Sequence, residues 1–222
     1  MRRKKKQVQR NFSVVVVALA VFFFYMMMGN ISGMYEDHLE KKETEKMGQV
    51  ANHAPALQRE LSAAGLEEYM VVLAAIMYQE SKGVGGDPMQ SSESVGQAPN
   101  SITDPDESIR HGVAHFKRAV SKGEALNVDF ATVIQSYNMG LGYIDFVSEN
   151  GGKHSESLAK EFSKIQVAKD PDTYDCNGDK NNFRYPYCYG DFTYSSKVAA
   201  HMDIFAPMAA DLSDGKAVVL SF

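Results

Sequence analysis

The chain has 222 residues, 44% of them hydrophobic, with 23 basic and 28 acidic residues and a formal charge of −5. That length holds one compact domain and a short extension, not a string of domains. Six basic residues lie within the first ten positions, so residues 11–222 hold 17 basic against 28 acidic residues, a formal −11; a body this acidic argues against nucleic acid, or any polyanion held by overall charge, as a partner.

Arg2, Arg3, Lys4, Lys5, Lys6 and Arg10 form a basic segment, residues 1–10, with no acid among them. No charge then appears until Glu36, and the stretch from Phe12 to Met28 is almost wholly apolar. Residues 11–34 are therefore expected to cross the membrane as a single signal anchor, since about 20 apolar residues span the hydrocarbon core. The basic flank belongs on the cytoplasmic side, which sends the rest of the chain outside. A cleaved signal peptide is the alternative, but Met26, Met27 and Met28 leading into Gly29 and Asn30 match its small-residue cleavage site poorly.

Residues 35–53, with Glu40, Lys41, Lys42, Glu43, Glu45 and Lys46, read as a polar stalk. Residues 54–222 read as the folded domain, and its pattern is mainly α. Pro55 suits the first turn of a helix and Gly65 its stop. Tyr69 to Glu80 is apolar on all sides, as in a helix surrounded by others, and Lys82 to Pro88 breaks it. Asp104, Pro105 and Glu107 form a capping-box start, after which Ile109, Val113, Phe116 and Val120 fall on one face. Asp129 caps a helix bearing Phe130, Val133, Ile134 and Tyr137, and Gly140 ends it. Leu158, Phe162 and Ile165 make a further stripe, as do Val198, Met202 and Phe205. The aromatic run Phe183 to Tyr189 is the best candidate for extended chain, limited to an edge or loop by Pro186. Cys176 and Cys188 lie outside the membrane in this topology and are expected to form a disulfide, with two free thiols the alternative.

Glu80 is the sharpest chemical feature. It ends the most apolar helix just before a glycine-rich turn, where burial would raise its pKa as a proton donor requires. A helix-closing Glu with its head in water is the plainer reading of position alone. The sequence around it decides otherwise. Gln79-Glu80-Ser81-Lys82-Gly83, followed by Asp87-Pro88-Met89-Gln90-Ser91-Ser92-Glu93-Ser94, resembles the lysozyme-like muramidases of Gram-positive bacteria, the family that includes one half of the bifunctional wall hydrolases of conjugative elements and is related to goose-type lysozymes and lytic transglycosylases. Ile134 to Gly140 resembles the Tyr-Asn-x-Gly helix of the same superfamily, and the likeness spans roughly residues 54–205.

The resemblance implies a lysozyme-like domain that cuts the glycan strands of peptidoglycan between N-acetylmuramic acid and N-acetylglucosamine. It implies Glu80 as catalytic acid and Asp87 as the second acid on the following loop. It implies Gln90, Ser92 and Ser94 of that loop, with Tyr137 and Asn138, as residues that meet the glycan; Glu93 is more ordinarily a solvated charge. With Asp87 as base or water-orienter the reaction is a hydrolysis; without it Glu80 recovers a proton from the muramic 6-hydroxyl, giving the anhydro product of a lytic transglycosylase. An inactive glycan-binding surface protein or secretion-machine component is the reading from a different class. A conjugation or type IV secretion machine is the further partner the family implies, and no peptidase half is expected.

No metal or cofactor is expected. Asp175, Asn177, Asp179 and Asn181 alternate like the start of a calcium loop, but the glycine falls at 178 and Pro186 stands where the closing glutamate belongs. His111 and His115 lack the adjacent glutamate of a zinc helix.

Overall fold

A computed structural model of the chain describes residues 47–210 continuously and, nearer the N-terminus, residues 21, 23–29, 31, 33–35 and 41. The chain divides into two units, residues 1–46 and 47–222. In the first, the described residues are helical, and Phe24 and Met27 are 62% and 63% exposed. The basic segment and much of the expected membrane span lie outside the described residues; among those described, no helix is long and apolar enough to cross a membrane. Residues 47–53, grouped with the stalk by composition, fold with the second unit instead, since Val50 is 1% exposed within its core.

The second unit is mainly helical, and no strand forms among the described residues. Helix α1, Ala54–Ala64, starts with Pro55 in its first turn and ends where Gly65, at φ 69°, donates its N–H to Leu61 and Ser62 carbonyls. A 3-10 turn, Glu67–Tyr69, leads into α2, Met70–Ser81. Val72 through Met77 are all 0% exposed, so α2 is surrounded on every side, as its unbroken apolar run requires. Full burial of side chains such as Leu73, Ile76 and Met77 contributes about 1.5–3 kcal/mol each.

Among the described residues five further helices follow. They are α3, Pro105–Ala125; α4, Phe130–Met139; α5, Gly142–Glu149; α6, Glu156–Lys169; and α7, Tyr194–Ala210. Of these, α7 packs along α2, while α6 packs with α5 in a second apolar cluster. The longest interface joins α2 to α7. Ile109, Val113, Phe116 and Val120 of α3 are buried, and Asp129 caps α4 by accepting from Thr132 N at 3.0 Å.

Three local expectations differ from the structure. Asp104 caps α3 through Asp106 N at 3.0 Å, but Glu107 turns to Arg110 and His111 rather than closing a capping box. Ile165 is 39% exposed, so the α6 stripe ends at Phe162. The run Phe183 to Tyr189 forms turns, not extended chain, because its backbone bonds locally, Tyr185 N to Asn182 O and Tyr187 N to Arg184 O. Helix α5 has no counterpart in the sequence reading. Tyr143, Ile144 and Val147 anchor it, all 0% exposed, yet eight residues are too few for a periodic pattern to stand out.

Candidate active site

Helix α2 ends at Ser81 because Lys82 takes a left-handed conformation, φ 62°, and the chain turns sharply. Gly83 continues the turn at φ 76°; a Cβ there would lie 2.8 Å from Val50 N, so only glycine lets the two backbones approach this closely. The turn leaves Glu80 half-buried at the rim of the core, facing the loop that follows. Tyr194, buried at the start of α7, donates its hydroxyl to Glu80 Oε1 at 2.5 Å. Burial pushes the Glu80 carboxyl up to about 7; the negative charges of Asp87 and Glu93 add to the rise, against the hydrogen bond from Tyr194 and the charge of Lys82. Glu80 can therefore hold a transferable proton near neutral pH.

Asp87 is 4% exposed and wrapped by donors. Its Oδ1 accepts from Ser108 Oγ at 2.6 Å, Ser91 N at 2.8 Å and Ser91 Oγ at 3.3 Å, while Oδ2 accepts from Ser92 Oγ at 2.5 Å and Ser92 N at 3.1 Å. Burial alone would raise its pKa, but these hydrogen bonds outweigh burial and hold it below the usual value. Asp87 is thus a fixed negative charge and the knot of the 87–92 loop. With both oxygens already engaged it is poorly disposed to take a proton from water, the task expected of it from sequence.

The remaining expected groove residues divide. Tyr137 is half-buried and donates its hydroxyl to Met89 O at 3.0 Å. Burial, then the charges of Glu80 and Asp87, raise its pKa, so its ring stands close to both acids. Gln90, in a left-handed conformation at φ 47°, is half-buried and donates from Nε2 to Asp87 O at 3.0 Å and Asn100 Oδ1 at 2.8 Å. Ser94 is half-buried, its hydroxyl on Ser91 O at 2.7 Å. Ser92 is not on the groove surface. It is 1% exposed, donating to Asp87 and accepting from Ile102 N at 3.1 Å, so it holds the loop rather than a ligand. Asn138 is half-buried and accepts from Asp191 N at 2.6 Å, tying α4 to the loop before α7. Gly190 at φ 66° permits that approach, because a Cβ there would lie 2.9 Å from Asn138 Oδ1. Glu93 is exposed on the 3-10 turn Ser92–Val95, near enough for its charge to act on Glu80.

Cys176 and Cys188 are joined with Cα atoms 5.1 Å apart, closing a loop beside α6 and Asp191. Within that loop Asp179 and Asn181 make a simple turn, Asn181 N donating to Asp179 Oδ1 at 2.9 Å. Among the described residues no three His, Cys, Asp or Glu side chains converge as metal ligands.

Two residues at the site escape a sequence reading that stops at hydrophobic stripes. Ser108 hides in the polar N-terminal part of α3. Tyr194 sits four residues before Val198 and eight before Met202, so extending the α7 stripe by one turn would have put it on the inward face.

With this geometry in view, comparison with known proteins is specific. A family model described as lysozyme-like matches residues 47–202. The uncharacterized membrane protein YocA of Bacillus subtilis is 53% identical over 149 residues, 67% of this chain and 66% of its own. The bifunctional muramidase/DL-endopeptidase CwlT of the same organism is 44% identical over 105 residues, 47% of this chain and 31% of its own. Pneumococcal vaccine antigen A of Streptococcus pneumoniae is 37% identical over 120 residues, covering 54% and 59% of the two chains. A crystal structure of an NLP/P60-family protein described as similar to lipoprotein, from Staphylococcus aureus, superposes with a TM-score of 0.60 at 34% identity, over 70% of this chain and 52% of that one. The chain thus spans about a third to two thirds of the length of these relatives.

Proposed function

This chain belongs to the lysozyme-like family, and we propose that it cleaves peptidoglycan glycan strands between N-acetylmuramic acid and N-acetylglucosamine, with Glu80 as general acid and Asp87 assisting. The observation that carries the reading is the Glu80 carboxyl, with its pKa pushed up to about 7, one hydrogen bond from Tyr194 and a half-buried Tyr137 nearby. The muramidase activity in the name of CwlT agrees with it.

The chemistry follows from the proton's position. Tyr194 donates to Oε1, so the transferable proton rests on Oε2 and is given to the glycosidic oxygen as the bond breaks through an oxocarbenium-like state. Asp87 assists as a fixed charge that keeps Glu80 protonated before the step. In the hydrolytic outcome water adds to the muramyl C1 and its proton is taken up by a carboxylate. A lytic transglycosylase outcome is favoured by one observation, the five hydrogen bonds on Asp87. There Glu80, left as carboxylate, takes the proton from the muramyl 6-hydroxyl, whose oxygen closes on C1. Mass spectrometry of fragments from purified peptidoglycan separates the outcomes, because the anhydro product is lighter by one water. Binding without any fragment release would favour an inactive glycan-binding protein.

The same proposal places residues 11–34 as a membrane anchor and the catalytic domain on the extracytoplasmic face. The basic N-terminal segment, the exposed apolar residues between 21 and 35, and the membrane designation of YocA support it. Protease added to cells with permeabilised walls should release the domain from the membrane fraction; protection from that protease would reverse the topology.

A further inference from the structure

Ammonium groups gather over aromatic rings around the disulfide loop. Lys160 Nζ lies 4.4 Å from the ring centre of Phe192 and 5.9 Å from that of Tyr187, and Lys164 Nζ, one helical turn on, lies 5.5 Å from Tyr187. Beside them the clamped loop exposes Phe183 and Tyr185, at 61% and 44%. We propose that Lys160 and Lys164, with these exposed rings, form a site for the carboxylates of peptidoglycan stem peptides at the edge of the glycan groove. The proposal rests on the peptidoglycan reading above.

The charges decide the ligand's sign. A ring face attracts an ammonium and fixes its place without neutralising it. Lys197 also lies over a ring, Phe183 at 4.8 Å, but it is neutralised by Asp191 at 2.5 Å. Lys160 and Lys164 have no carboxylate partner among the described residues. In a body that is strongly acidic beyond residue 10, two adjacent cations held on rings, set among Glu156 and Glu161 of the same helix but bridged to neither, offer an anion two points of attachment. Exposed rings on a cross-linked loop add an apolar surface that a peptide or sugar face can cover.

Continuity with the groove decides which anion. Ser163, between the two lysines, accepts from Tyr189 N at 3.1 Å, and the Tyr189 hydroxyl donates to Met139 O at 3.1 Å, next to Asn138. Asp191 N binds Asn138 itself. The lysine face is thus joined by a few residues to the helix that carries Tyr137. A muramic residue bears its stem peptide on the lactyl group, beside the bond to be cut. Four extended residues reach about 13 Å, so stem carboxylates lie well away from the sugar bond that Glu80 would protonate.

The test uses the full-length chain with Lys160→Gln and Lys164→Gln combined. Intact insoluble peptidoglycan is compared with strands stripped of stem peptides by an amidase, measuring both sedimentation binding and fragment release. Binding to the intact polymer should weaken roughly five- to tenfold, the size of two exposed charge pairs, while binding to stripped strands stays within about twofold. Equal binding of wild type and variant to intact polymer overturns the proposal, as does equal weakening on both substrates. If wild type releases no fragments yet shows the lysine-dependent preference, the stem-peptide site stands and the cleavage reading fails.

Discussion

The hydroxyl of Tyr194, at the first residue of α7, donates to Oε1 of Glu80, at the last turn of α2, across 2.5 Å and 114 positions of sequence. The bond fixes one carboxyl oxygen as an acceptor and lowers the pKa that burial raises. Tyr194→Phe removes the donor and keeps the ring. The alkaline limb of the pH–rate profile, which reports Glu80 losing its proton, should move to higher pH. The value of kcat should fall roughly ten- to hundredfold through misplacement of the acid, with KM little changed. A profile that does not move would remove Tyr194 from control of Glu80.

Glu80→Gln keeps the acceptor for Tyr194 but has no proton to transfer. Loss of general acid catalysis typically costs about 10²–10⁴-fold, so wall lysis should fall at least that far with binding retained. Stability should change in the opposite direction. A carboxyl raised from near 4.5 to about 7 contributes stability that is full below its unfolded value and lost as pH rises through the folded one. Glu80→Gln should therefore melt higher than wild type at pH 8, by no more than about 3 kcal/mol, and match it near pH 4. Equal melting at pH 8 would show that Glu80 ionises freely in the folded chain.

Asp87 behaves the other way. Its folded pKa is held down, so its contribution to stability is present above the unfolded value and lost as pH falls through the folded one. Ser108→Ala deletes the 2.6 Å donor and orphans Met89 N, which donates to the same hydroxyl at 3.0 Å. We expect a loss of about 1.5–3 kcal/mol at neutral pH, shrinking as the pH falls below the ordinary Asp value and the unfolded chain takes up the proton first. Urea titrations at pH 7 and pH 3 measure it. Asp87→Asn should lower the pKa of Glu80 by removing its charge, shifting the alkaline limb downward, and leave the product mass unchanged if Asp87 acts by charge alone. A switch in product mass would make it a direct participant.

The bond between Cys176 and Cys188 closes a short loop carrying the exposed rings of Phe183 and Tyr185. Thiol labelling without reductant should find neither cysteine free. Reduction should open the loop to protease between residues 177 and 187, with about 2–3 kcal/mol lost in melting experiments. Unchanged digestion after reduction would mean that ring packing, such as Phe183 on Phe192 at 5.9 Å, holds the loop by itself.

The sequence alone determined most of the helices and singled out Glu80 as the candidate acid. Caps at Asp104 and Asp129, stops at Gly65 and Gly140, and stripes such as Ile109 to Val120 are local or periodic signals, and each marks a helix in the structure. Glu80 stood out because the motif from Gln79 to Ser94, and not its position at a helix end alone, resembles that of the lysozyme-like muramidases. Tertiary structure decided what each polar group touches. Asp87 reads in sequence as a second acid, a base or water-orienter, yet Ser108, 21 residues away, helps to saturate it. Ser92 reads as a groove residue and lies beneath the loop. Tyr194 shows no polar role until α7 packs along α2 and brings it against Glu80. The physical reason is common to all three: hydrogen bonds and pKa values depend on burial and on donors distant in sequence, whereas helix periodicity and capping lie within a few residues of one another.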